Sequence, residues 1–122
     1  MSWLEVAQEV LEAYDEAQRS VGTLKAAELE QKLKSRRWRF LHPLSVGDDL
    51  SIVLKLNFNQ PDEEKLKELA ASLHLNLGSI RLFNYVLISE GGGYFGIGNG
   101  MLRISTKFPK ESLLEVLKAL LT

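Results

Sequence analysis

Five groups of residues in this chain have the types that could do chemistry, and the most conspicuous is Glu90-Gly-Gly-Gly-Tyr-Phe-Gly-Ile-Gly-Asn-Gly100. Gly91, Gly93 and Gly96 satisfy the spacing G-x-G-x-x-G. That spacing cradles a pyrophosphate when the third glycine opens a helix whose first N–H groups face the anion. Here Ile97, Gly98, Asn99 and Gly100 follow, which is the composition of a hairpin. Gly98 stands where a kinase-like glycine hairpin would carry a β-branched residue, and no Walker lysine follows. The segment therefore predicts a glycine-rich hairpin with a twisted or bulged edge, and no nucleotide or dinucleotide site.

The second group is basic. Lys32, Lys34, Arg36, Arg37 and Arg39 surround Trp38. Bases beside an aromatic ring could neutralise phosphates and stack a nucleobase. On a strand over 36–41, however, Arg37 and Arg39 point one way while Arg36, Trp38 and Phe40 point the other. Three readings stay open: an edge strand guarded by charge, an acidic polypeptide partner, or a nucleic-acid contact. These six residues, Lys32 to Arg39, are the candidate partner-binding set.

The remaining groups are sparser. His42 and His74 lie far apart and neither has a carboxylate at metal-ligand spacing, so no metal site is expected. His74 falls near a helix C-terminus, where the macrodipole accounts for it. Paired carboxylates occur at Asp48-Asp49, at Glu63-Glu64 and along Glu5, Glu9, Glu12 and Glu16. A turn, a helix first turn and a solvated helix face explain them. Ser20, Ser35, Ser45, Ser51, Ser79, Ser89, Ser105 and Ser112 lack the glycine frame of a nucleophile elbow. No catalytic residue, cofactor or enzymatic activity is expected.

The elements that would position these groups follow from periodicity. Ser2 and Glu5 form a capping box, and Trp3, Val6, Ala7, Val10, Tyr14 and Ala17 then keep helical spacing. Thr23 can cap a second helix through Leu24, Ala27, Leu29 and Leu33, completing a helical segment over 1–35. Residues 36–122 then hold the sheet and the other helices. A short strand over Arg36–Leu41 ends at His42-Pro43. The clearest strand is Leu50–Phe58, with Leu50, Ile52, Leu54, Leu56 and Phe58 on one face. Pro61 opens a helix whose buried stripe is Leu66, Leu69, Ala70 and Leu73, and Gly78 ends that segment. Ile80–Ser89 reads as a strand, with a short buried helix as the alternative. Tyr94–Ile97 and Met101–Phe108 form a hairpin through Asn99-Gly100, the strongest two-residue turn signal. Pro109 opens the last helix, with Leu113, Leu114, Leu117 and Leu121 inward. The expected core is Leu54, Leu56, Phe58, Leu69, Leu73, Leu102, Ile104, Leu114 and Leu117. An offset of 48 residues superposes Leu54, Pro61, Glu63, Leu66, Leu69 and Leu73 on Leu102, Pro109, Glu111, Leu114, Leu117 and Leu121. The fold class is α+β, in the order helix–strands–helix–strands–helix, as a single domain over 1–122. Its sheet is expected to be twisted and antiparallel, with helices mainly on one face.

Composition bounds the rest. The chain has 122 residues, 45% of them hydrophobic, and no cysteine, which excludes thiolate catalysis, Cys-ligated zinc and disulfides. The longest apolar run, Tyr85 to Ile88, is too short to cross a membrane. Met1-Ser-Trp-Leu-Glu5 has no basic or apolar signal region, so a cytoplasmic location is expected. The net charge of −1 is unevenly spread: residues 1–30 carry seven acids against Arg19 and Lys25, and residues 31–60 six bases against Asp48 and Asp49. The acidic stripe, the basic cluster and an open sheet edge together predict a homodimer.

The last third adds a resemblance. Gly91-Gly-Gly-Tyr-Phe-Gly-Ile, the turn at Gly98-Asn-Gly100, Met101-Leu-Arg-Ile-Ser and Phe108-Pro-Lys-Glu-Ser-Leu-Leu-Glu-Val-Leu resemble the closing hairpin and last helix of class I type III secretion chaperones, a fold shared by the YbjN-like proteins. The resemblance implies a homodimer that binds another polypeptide and has no catalytic site. A strand count of two before the middle helix and three after is also similar to roadblock/profilin-like regulatory scaffolds. The functional expectation is a non-enzymatic adaptor or chaperone-like module. A nucleic-acid-contacting module working through residues 32–39, or such a scaffold, is the alternative.

Overall fold

A computed structural model describes residues 3–21, 31, 41–46, 49–55, 58, 60–80, 83–98 and 100–122. Helix α1 (Trp3–Ser20) is followed by strands β1 (Leu41–Val46) and β2 (Asp49–Lys55), then helix α2 (Glu63–Ser72). Strands β3 (Asn76–Ile80), β4 (Phe83–Ile88), β5 (Tyr94–Gly98) and β6 (Met101–Ser105) come next, and helix α3 (Lys110–Leu121) closes the order. The strands form one sheet in the order β1-β2-β6-β5-β4-β3, and every neighbouring pair is antiparallel. The passage through α2 carries the chain from β2 to the far edge. From there β3 to β6 meander back until β6 pairs with β2. The fold is therefore α+β with the expected alternation of helices and strands.

Burial explains why these elements form. Ile52 and Leu54 on β2 face the same core as Leu102 and Ile104 on β6, since Ile52 stands opposite Ile104 and Leu54 opposite Leu102. Phe95, Ile97 and Leu87 extend that face. All three described helices pack on it, α1 through Ala7, Val10, Ala13, Tyr14 and Ala17, α2 through Leu66 and Ala70, and α3 through Leu113, Val116, Leu117 and Leu120. Ala7, Ala13 and Ala17, with Val10 at helical spacing between them, are small enough to let α1 lie close to α3 and β2. Two lysines tie the helices together: Lys110 Nζ lies 2.9 Å from Asp15 Oδ1 on α1, and Lys65 Nζ donates to the Ala119 carbonyl at 3.2 Å.

Several boundaries depart from the sequence expectation. Strand β1 runs through His42-Pro43, where the pattern ended it, with Pro43 opposite Ile52. Among the described strands β1 is terminal, the kind of position where a proline is tolerated in a sheet. Residues 36–40 and Leu56 lie outside the described residues, as does the second helix apart from the helical Gln31. Strand β2 ends at Lys55, opposite Met101 where β6 begins, so Phe58 leaves the sheet and packs part-buried against the core. The segment read as one strand over Ile80–Ser89 is the second of two: Asn76–Ile80 already pairs with β4, and Gly78 sits within that strand, opposite Val86. Four strands thus follow the middle helix. Asn76-Leu-Gly-Ser-Ile has weak strand propensity and is held by its neighbour.

Strand β6 stops at Ser105, and Phe108 belongs to a turn in which its N–H donates to the Ser105 carbonyl at 3.0 Å. Leu114 is 38% exposed, because the buried stripe of α3 runs through Leu113, Val116, Leu117 and Leu120. Glu16 leaves the solvated acidic face: it is 5% exposed and its carboxylate meets Arg19 at 2.6 Å.

Helix ends follow local chemistry. Asp62 caps α2, its Oδ1 accepting from the Lys65 N–H at 2.7 Å. At the other end the Leu75 N–H donates to the Ala70 carbonyl at 2.8 Å and the His74 N–H to that of Ala71 at 3.4 Å. This is a Schellman motif, with His74 at φ 57° in the place glycine usually takes. The hairpin from β5 to β6 turns through two residues, with Gly100 at φ 72°.

Candidate functional site

Lys32, Lys34, Arg36, Arg37, Trp38 and Arg39 lie outside the described residues, as does Asp48. His42 falls on β1, opposite Val53, and His74 on the turn after α2, so the two histidines belong to different parts of the fold. Glu63 and Glu64 stand exposed in the first turn of α2. Among the described residues no three His, Asp or Glu side chains gather as a metal site. No helix among them is long and apolar enough to cross a membrane.

The structure does bring together residues that the sequence kept apart. An open cleft of about 430 Å³ is lined by Leu73, His74 and Leu75 after α2, by Ser89, Glu90 and Gly91 in the glycine turn, and by Lys107, Pro109 and Ser112 at the start of α3. Two tight turns build its walls. Ser89 closes the first, its N–H and its hydroxyl both donating to the Gly93 carbonyl, at 2.8 and 3.1 Å. The Gly92 N–H returns a bond to the Ser89 carbonyl at 3.0 Å. In the second, the Lys107 N–H donates to Ser105 Oγ at 3.1 Å. Gly93 lies directly on the second turn: a Cβ there would stand 2.3 Å from the Lys107 carbonyl carbon. Only glycine permits that approach.

Beneath the second turn, α1 holds the backbone in place. The Tyr14 hydroxyl reaches the carbonyl oxygens of Phe108 and, at 3.2 Å, Thr106. Gln18 Nε2 donates to the Tyr14 oxygen at 3.2 Å and to the Thr106 carbonyl at 3.3 Å. Burial, reinforced by the negative charges of Asp15 and Glu111, raises the Tyr14 pKa, and the Gln18 bond opposes that shift. Phe95 meets Phe108 with ring centroids 5.6 Å apart, filling the space between sheet and turn.

Two glycines of the G-x-G-x-x-G spacing, Gly93 and Gly96, have structural uses. Gly96 lies within β5, where a Cβ would press to 3.2 Å on the Phe83 ring. No helix follows it, in keeping with the hairpin expectation. On the sheet face away from the main core, the Arg103 guanidinium sits 5.5 Å from the Tyr94 ring centre and its Nε donates to Ser51 Oγ at 3.2 Å. That arginine is held in place by its neighbours.

Sequence reasoning missed His74, Lys107 and Ser112 as neighbours of the glycine turn. The one available signal was Pro109: it begins α3 without a side chain that can cap it. The chain matches no family model, no curated protein and no solved structure.

Proposed function

We propose that this chain is a non-enzymatic polypeptide-binding module, adaptor- or chaperone-like, acting in the cytoplasm as a small homodimer. The observation that carries the reading is strand β3. It is terminal in the described sheet, and Asn76 and Ser79 on it are exposed. A terminal strand offers backbone N–H and C=O groups to an extended segment of another chain. The resemblance of the last third to type III secretion chaperones supports the same reading.

The test is a pull-down from cell extract with and without nuclease. A nuclease-insensitive polypeptide that is lost from Asn76→Lys with Ser79→Lys supports the proposal, because charge on an edge opposes strand pairing. Recovery of nucleic acid alone, abolished by Arg36→Ala with Arg37→Ala, would replace it with the nucleic-acid reading. A light-scattering mass of 13.7 kDa independent of concentration would remove the homodimer.

A further inference from the structure

We infer that the outer seam between α1 and α3 is a docking groove for a basic amphipathic helix of a partner polypeptide. The inference rests on the polypeptide-binding reading but uses a surface other than β3. The Asp15–Lys110 ion pair shows which flanks of the two helices meet. Leu11 stands one turn before Asp15 and Leu4 two turns before Leu11, so both share that flank of α1. Leu114 stands one turn after Lys110 and Leu121 two turns after Leu114, so both share the facing flank of α3. Gln18, nearer the end of α1, donates to the Thr106 carbonyl ahead of α3, so α3 runs back toward the start of α1. The four leucines therefore follow one seam. Leu11 and Leu121 pack partly on the core. Leu4 is 48% exposed and Leu114 38%, and no other large apolar side chain among the described residues is exposed.

The shape of the seam and its charge choose the occupant. A groove between two packed helices takes a third helix, whose apolar anchors repeat at i, i+3, i+4 and i+7. The 12 residues of α3 give it about 18 Å of length, roughly three turns of a partner. Over α1 the acids Glu5, Glu9, Glu12, Asp15 and Glu16 outnumber the single base Arg19, while α3 carries two of each sign. Arg19 is already held by Glu16. Glu111 and Glu115 bracket Leu114 and are exposed, and Lys118 opposes them. The surroundings of the exposed leucines are thus acidic on balance and call for Lys or Arg on the flanks of the docking helix. A second copy of the chain fits less well, because a two-fold pairing would set this acidic surface against itself.

The experiment follows the fluorescence anisotropy of a labelled peptide of about 14 Leu and Lys residues, its leucines in one helical stripe, titrated with the full chain. Saturable binding is expected. Leu4→Lys with Leu114→Lys should weaken it by roughly tenfold or more, the scale of lost apolar anchors. Glu111→Lys with Glu115→Lys leaves every leucine in place and should weaken it by roughly fivefold, with a flatter salt dependence. Asn76→Lys with Ser79→Lys should leave it unchanged. Circular dichroism checks that each variant keeps the fold, and the charge pair alone serves as the test if the leucine pair does not. No saturation, or equal affinity in the leucine pair, would overturn the groove and leave the β3 reading to its own pull-down. A shuffled peptide of the same composition binding as well would overturn the helix. A peptide of Leu and Glu binding as well, or a charge pair without effect, would overturn its basic character. Light scattering that shows a dimer for the wild type and a monomer for the leucine pair, with no competition from the peptide, would assign the seam to a second copy instead.

Discussion

Replacing Tyr14 by Phe deletes one oxygen and leaves the ring, so it isolates the hydrogen bonds that join α1 to the turn before α3. The Tyr14 hydroxyl serves the Phe108 and Thr106 carbonyls, and Gln18 donates to Thr106 as well. In the variant the Phe108 carbonyl loses its side-chain donor while Thr106 keeps one. One orphaned buried acceptor costs about 1–3 kcal/mol, offset in part by the lower desolvation of Phe, so a net loss of about 1–2 kcal/mol is expected. With a urea m-value of about 1–3 kcal/mol/M, the midpoint should fall by roughly 0.5–1 M at unchanged slope. The pH dependence adds a second signature. Because the folded-state pKa of Tyr14 is raised, its contribution is complete below the unfolded value near ~10 and is lost as pH rises from there through the folded value. The stability gap between wild type and Tyr14→Phe should therefore narrow above about pH 10. A gap smaller than about 0.3 kcal/mol at neutral pH, within the error of additivity for uncoupled sites, would refute the reasoning.

Three further outcomes are expected. Gly93→Ala should destabilise by about 3 kcal/mol or more in denaturant unfolding, since the clash is with backbone that cannot repack; a loss below about 1 kcal/mol would mean the two turns separate freely. His74→Gly should stabilise by about 1 kcal/mol by relieving the left-handed backbone at the end of α2, visible as a higher thermal midpoint. Leu117→Ala should cost about 2–5 kcal/mol whereas Leu114→Ala should stay within about 0.5 kcal/mol, and equal effects would contradict the face assigned to α3.

What could be read from the residues was the part governed by local period. The alternation through Ile52 and Leu54 named the inward face of β2, and Asn99-Gly100 placed the hairpin. Even the offset of 48 residues has a counterpart: Leu54, which it superposes on Leu102, stands directly opposite Leu102 in the sheet. An antiparallel pair centred there has a local two-fold axis through the sheet, which leads each strand to its own proline-led helix on the same face. What escaped was set by long-range partners. Strand β3 is a strand because β4 lies beside it. Helix α2 ends where His74 accepts a left-handed conformation, a position no propensity marks. The cleft joins residues from three separated segments, so no spacing could announce it.

The attachment of α1 to the turn before α3 bears on how the chain is made. Tyr14 emerges from the ribosome 92 residues ahead of Thr106, one of its two carbonyl partners. At about 5–20 residues per second, roughly 5–18 s pass before that partner exists. Throughout that interval the apolar stripe of Ala7, Val10, Ala13 and Ala17 lacks α3, one of the two elements that α1 lies against. Contacts of low sequence separation cannot substitute on that side, because α1 and α3 are separated by most of the sequence. Translation products that stop within β5 or β6 leave the side of this stripe that meets α3 uncovered, and they are the species on which holding chaperones and proteases should act.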